Sequence, residues 1–121
     1  MMALLETLRD ALAAIDGVAS CKIGLEANIS PADYPLIRVV PSRIVEGSVI
    51  GRRRAECLIY FGMDRAEAES GIETVYADLF GLETQIRTVI NQARGMYLET
   101  LTDEDRLDTY KLMAVRCEVE G

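Results

Sequence analysis

Apolar residues recur at intervals of three and four in two stretches of this chain and at intervals of two in most of the rest, and that change of period predicts the order of its elements. From Met2 to Ile15, Leu5, Leu8, Leu12 and Ile15 share one side while Glu6, Arg9, Asp10 and Asp16 take the other, as in an amphipathic helix. Asp16-Gly17 ends it, because Gly accepts the left-handed backbone of a helix terminus. Cys21, Ile23 and Leu25 then alternate with Ser20, Lys22, Gly24 and Glu26, which predicts a short strand with one wet face. Between Asn28 and Pro35, Ser30 is placed to cap and Pro31 follows it, so a single helical turn fits there and no more.

Leu36 to Val45 reads as a strand with Ile37, Val39 and Pro41 on one face and Leu36, Arg38 and Val40 on the other. Pro41 has no N–H to give to a ladder, so this strand lies at an edge or is bulged there. A turn bracketed by Gly47 and Gly51 leads to a second long strand, in which Ala55, Cys57, Ile59, Phe61 and Met63 alternate with Glu56, Leu58, Tyr60 and Gly62; the two form an antiparallel hairpin. From Gly71 to Gly95 the period returns to three and four through Ile72, Val75, Tyr76, Leu79, Leu82, Ile86, Val89 and Ile90, the main core helix. The acidic run Asp64, Glu67 and Glu69 before it suits the positive end of the helix dipole. Met96 to Leu101 reads as a short strand, Thr102 to Arg106 as an acidic loop, and Asp108 to Glu120 as a closing strand. The expected fold is α+β, one mostly antiparallel sheet packed against two helices in the order α-β-β-β-α-β(-β), with residues 1–121 forming a single domain.

Composition narrows the chemistry. The chain has no His, which removes the commonest general base and metal ligand and every Ser-His or Cys-His triad. Cys21, Cys57 and Cys117 are odd in number and far apart, so neither a disulfide framework nor a CxxC site is expected; each shares a strand face with Ile or Val and reads as small core filler. The acidic runs lack the spaced loop of a calcium site, and no phosphate-binding glycine motif occurs. No catalytic residue, cofactor or metal is therefore assigned, and a minor enzyme built on carboxylates or on Tyr34, Tyr60 and Tyr76 ranks last. A formal net charge of -7 disfavours nucleic acid and anionic lipid, so no specific nucleic-acid binding and no membrane association are expected. Charges interrupt the N-terminal MMALLETLRD, unlike a signal peptide, so secretion by that route is not expected.

A surface argument remains. The hairpin turn carries an apolar pair, Val49 and Ile50, beside Arg52, Arg53 and Arg54, none of which a core account uses. Arginine forks match carboxylates, and three of them in an acidic chain suit a solvated loop or an acidic protein surface better than DNA. The second faces of the strands also carry Leu36, Val40, Leu58, Tyr60, Leu112 and Ala114, more apolar surface than one helical layer hides. Self-association supplies the cheapest cover, and a head-to-tail contact closes into a ring if the rotation permits.

The layout resembles the small tail-terminator, tail-completion and neck proteins of long-tailed bacteriophages and derived prophages. The likeness lies in the N-terminal helix through Asp16-Gly17-Val18, the Asp33-Tyr34-Pro35-Leu36-Ile37-Arg38-Val39 run into a strand, the hairpin from Leu36 to Met63, the helix from Ile72 to Ile90 and a strand closing at Val119. The resemblance implies a non-enzymatic subunit of a ring, commonly hexameric, that ends the tail tube and docks to the head connector, in the virion or the bacterial cytoplasm. It also implies that Val49 to Arg54 and the sheet edges carry subunit and tube contacts, and that the acidic charge keeps passing DNA from sticking. A reading of another class is a small dimeric ligand-binding or regulatory domain, with a small molecule held between two sheets.

Overall fold

A computed structural model describes residues 1–26, 28–64, 71–102 and 110–121. The expected acidic run through Glu67 and Glu69, the loop from Asp103 to Arg106, the strand start at Asp108 and the side chain of Ile72 lie outside the described residues. The elements come in the expected order: α1 (Met2–Ala13), β1 (Ser20–Ile23), a single 3-10 turn at Pro31–Asp33, β2 (Leu36–Glu46), β3 (Arg53–Asp64), α2 (Ile72–Gln92), β4 (Met96–Thr102) and β5 (Tyr110–Glu120). The strands form one sheet in the order β1-β2-β3-β5-β4, mixed because β1 and β2 run parallel while the other pairs are antiparallel.

Both helices cover the same face. Leu5, Leu8 and Leu12 of α1, with Val75, Leu79, Leu82, Ile86 and Ile90 of α2, pack against Ile37, Val39, Ala55, Cys57, Ile59, Phe61, Val115, Cys117 and Val119. α1 lies on β1 and β2, and α2 on β3, β4 and β5. The α1 helix ends before Ile15, which packs on the core from the following turn, where Gly17 takes φ +88°. At the far end of α2 the chain turns back tightly, and a Cβ on Gly95 would meet Ile90 Cγ2 at 2.9 Å and the Glu118 carbonyl at 3.1 Å.

Three local features follow from single residues. The β2–β3 register shifts between Pro41 and Arg43, so the proline is bulged as its missing N–H requires; β1 pairs with β2 only as far as Val39, so Pro41 lies beyond the last β1–β2 pair. Ser30 and Asp33 close the 3-10 turn, the Ser30 N–H donating to Asp33 Oδ2 at 2.8 Å, and this bond holds the Asp33 carboxyl below its ordinary range. Leu25 departs from expectation. The strand stops at Ile23, Gly24 turns the chain at φ +86°, and Leu25 is exposed instead of continuing the apolar face.

Candidate assembly surfaces

The sheet face away from the helices divides into three zones. Beside β1 it is sealed by the chain itself over Leu36 and Arg38, a correction for Leu36, which the sequence counts among the apolar residues left for a partner to cover. Both have 0% exposure. Arg38 donates from Nε to Glu26 Oε1 at 3.0 Å, from Nη1 to Ser20 Oγ at 3.0 Å and to the Ile37 carbonyl at 2.9 Å, and its Nη2 also reaches Glu26. Ser20 Oγ in turn donates to the Asp33 carbonyl at 2.7 Å. The β1–β2 connection thus folds over this end of the sheet, and the Arg38 guanidinium, with help from Lys22, holds the Glu26 carboxyl below its ordinary range.

The middle zone is apolar and only partly covered. Val40, Leu58, Tyr60 and Leu112 are half-buried, Ala114 is buried, and a shallow groove of about 320 Å³ runs between Leu58, Tyr60, Leu101, Leu112 and Ala114. The zone nearest the hairpin turn is charged, with ion pairs Arg43–Glu56 at 3.0 Å, Arg116–Glu99 at 2.7 Å and Arg54–Glu118 at 3.7 Å.

At the end of the hairpin, Ile50 is 99% exposed and Val49 54%. The turn that presents them is tied down. The Gly47 N–H donates to the Arg52 carbonyl at 2.8 Å, the Arg52 N–H to the Val49 carbonyl at 3.0 Å, and Ser48 Oγ to Glu120 Oε2 at 2.8 Å, with the Ser48 N–H on the other oxygen of the same carboxylate. Those Ser48 bonds hold Glu120 below its ordinary pKa. Arg52 and Arg53 are exposed beside Val49 and Ile50. Arg54 separates from them, half-buried on β3 and facing Glu118. Of the five residues singled out in the sequence, the structure places Val49, Ile50 and Arg52 in the turn, Arg53 exposed beside them at the first position of β3, and Arg54 half-buried one residue further into the sheet.

Sequence reasoning missed a second surface at the opposite end of the same strands. An open cleft of about 320 Å³ lies where the α1–β1 turn, the start of β2 and the end of β3 meet α2, lined by Asp16, Val18, Pro35, Met63, Asp78 and Leu82 among others. The only signal for it in the sequence was Gly81, in mid-helix at a position where an added Cβ would meet nothing within 4 Å. Further along the exposed side of α2, Phe80 is half exposed and its ring lies 5.7 Å from that of Tyr76.

The cysteines sit in the core or at its margin. Cys57 and Cys117 are direct cross-strand partners and both buried; the Cys57 side chain, by hydrogen bonding, and burial push the Cys117 thiol far up. Cys21 is half-buried, and burial pushes its thiol up to about 11. Thiols held protonated in this way are poor nucleophiles at neutral pH. Among the described residues no three His, Cys, Asp or Glu side chains are grouped to hold a metal ion, and no helix is long and apolar enough to cross a membrane.

The fold and its surfaces define a class, an α+β domain whose five-stranded mixed sheet is helix-covered on one face and carries an exposed apolar tip, an open groove and an acidic cleft outside the core. No protein-family model matches the chain, and no curated protein aligns with it significantly.

Proposed function

We propose that this protein is a structural assembly subunit of a phage or prophage tail, of the tail-terminator, tail-completion or head-tail joining kind. It acts by ring-like self-association and by docking to tail-tube or connector proteins, and performs no chemistry of its own. The observation that carries the reading is the hairpin tip. A side chain as large as Ile50 held wholly in water, on a turn fixed by hydrogen bonds to Glu120, is a preformed apolar contact with no use inside the monomer. The half-covered strip from Val40 to Leu101 adds a second apolar surface of the kind that partners cover.

Sedimentation velocity over a wide concentration range tests the reading. Wild-type protein is expected to move from monomer to a ring-sized species as concentration rises, or on addition of tail-tube protein. Ile50→Asp is expected to stay monomeric while its unfolding free energy changes by no more than about 0.5 kcal/mol, as for an exposed substitution outside the core. A wild-type chain that remains monomeric throughout and ignores tail-tube protein removes the proposal. The groove on the open face supports a second reading, a face-to-face dimer holding a small molecule between two sheets. A dimer whose melting temperature rises with an added small ligand would favour it.

A further inference from the structure

We infer that the hairpin tip of one copy seats in the Asp16–Asp78 cleft of the next, so that the chain joins its own kind head to tail. This rests on the self-association proposed above and names the two surfaces that meet. β2 leaves the cleft end at Leu36 and reaches the tip at Glu46, and β3 returns from Arg53 to Asp64. Strands of this length at about 3.3 Å per residue separate the two surfaces by roughly 35 Å. A patch that protrudes at one end and a recess at the other cannot satisfy each other within a monomer. Between copies they form a heterologous contact, which repeats until it closes a ring.

The two surfaces are complementary in chemistry. The tip offers Val49 and Ile50 flanked by exposed Arg52 and Arg53, and Arg53 has no ion-pair partner among the described residues. The cleft offers exposed carboxylates at Asp16 and Asp78, also without ion pairs among the described residues, around half-buried Val18 and Met63 and buried Leu82. Apolar side chains thus meet an apolar floor while guanidinium forks meet a carboxylate rim, the geometry in which arginine pairs best. Gly81 gives the recess its reach. Glycine in a helix interior is less stable than alanine, and no described residue occupies the space its side chain would take, so the position leaves α2 bare for an incoming turn. The tip is also ordered before contact by its bonds to Glu120, which lowers the entropy lost on docking. In an acidic chain this juxtaposition of charge orients copies that would otherwise repel.

The test is a charge exchange with a steric control, read by sedimentation equilibrium of the full chain. Arg52→Glu with Arg53→Glu, and separately Asp16→Arg with Asp78→Arg, are each expected to weaken self-association by at least about tenfold, and an equimolar mixture of the two variants to recover an alternating mixed oligomer that neither forms alone. Gly81→Leu is expected to weaken association similarly at an unchanged or raised melting temperature, because its side chain enters space that no described residue fills. Wild-type oligomers that are indifferent to all three changes overturn the cleft as the docking site and leave the assembly reading standing. A wild type that is monomeric at every concentration overturns both.

Discussion

The two faces of the sheet are built from alternate residues of the same strands, yet they follow different rules. On the helix side Ile37, Val39, Ala55, Ile59, Phe61 and Val115 are completely buried and apolar without interruption. On the other side the same strands carry a sealed arginine, a half-covered apolar strip and a field of ion pairs. A face closed by its own helices is under one demand, close packing. The mosaic face answers to several at once, since the β1–β2 connection claims one zone, water another, and the apolar strip between them is only partly covered by the described residues. Side-chain alternation is the same on both, so the difference arises from what lies above the sheet.

Substitutions across the two faces should separate these demands. The largest effect is expected at Phe61→Ala on the helix side, a loss of about 3–5 kcal/mol in urea unfolding from the cavity it leaves. Next comes Arg38→Ala on the opposite face, about 2 kcal/mol, because it empties the space of a fully buried side chain and removes the guanidinium that bonds Ser20 and Glu26. That pair has a signature in pH. The Glu26 carboxyl lies below its ordinary value of 4.5 in the folded chain, so its contribution is complete above that value and is lost as pH falls through the folded pKa. Acid titration of Glu26→Gln should accordingly show a shallower fall in stability below pH 4.5 than wild type. The smallest effect is expected at Leu58→Ser in the apolar strip, within about 1 kcal/mol by thermal melting. A loss as large as that of Phe61→Ala would mean that the open face is core like the other.

How far the sequence could be read follows the same division. The period of three and four through Val75, Leu79, Leu82, Ile86 and Ile90 located α2, and Pro41 announced either an edge or a bulge, of which the structure has the bulge, because both signals depend on covalent chemistry and local spacing. The burial of Arg38 is the opposite case. Alternation sets it beside Leu36 and Val40 on the face away from the helices and says nothing of its depth, which depends on the distant Glu26 arriving from the β1–β2 connection. The Cys57–Cys117 contact depends on β5 inserting beside β3, a pairing no local pattern encodes. Of the surfaces, the tip was legible as an apolar pair between glycines. The cleft was not, because Asp16, Met63 and Asp78 come together only when three connections meet at one end of the hairpin.

The place of β5 in the sheet has a consequence for how the protein is made. It hydrogen-bonds to β3 on one side and to β4 on the other, although it is the final strand along the chain. While synthesis proceeds, β3 presents a bare edge and β4 lacks the strand it pairs with, so the nascent polypeptide holds a helix pair over half a sheet until β5 has emerged from the ribosome. Cooperative structure then arrives late and together, and the interval before it is when sticky strands are most exposed to aggregation or to chaperone capture.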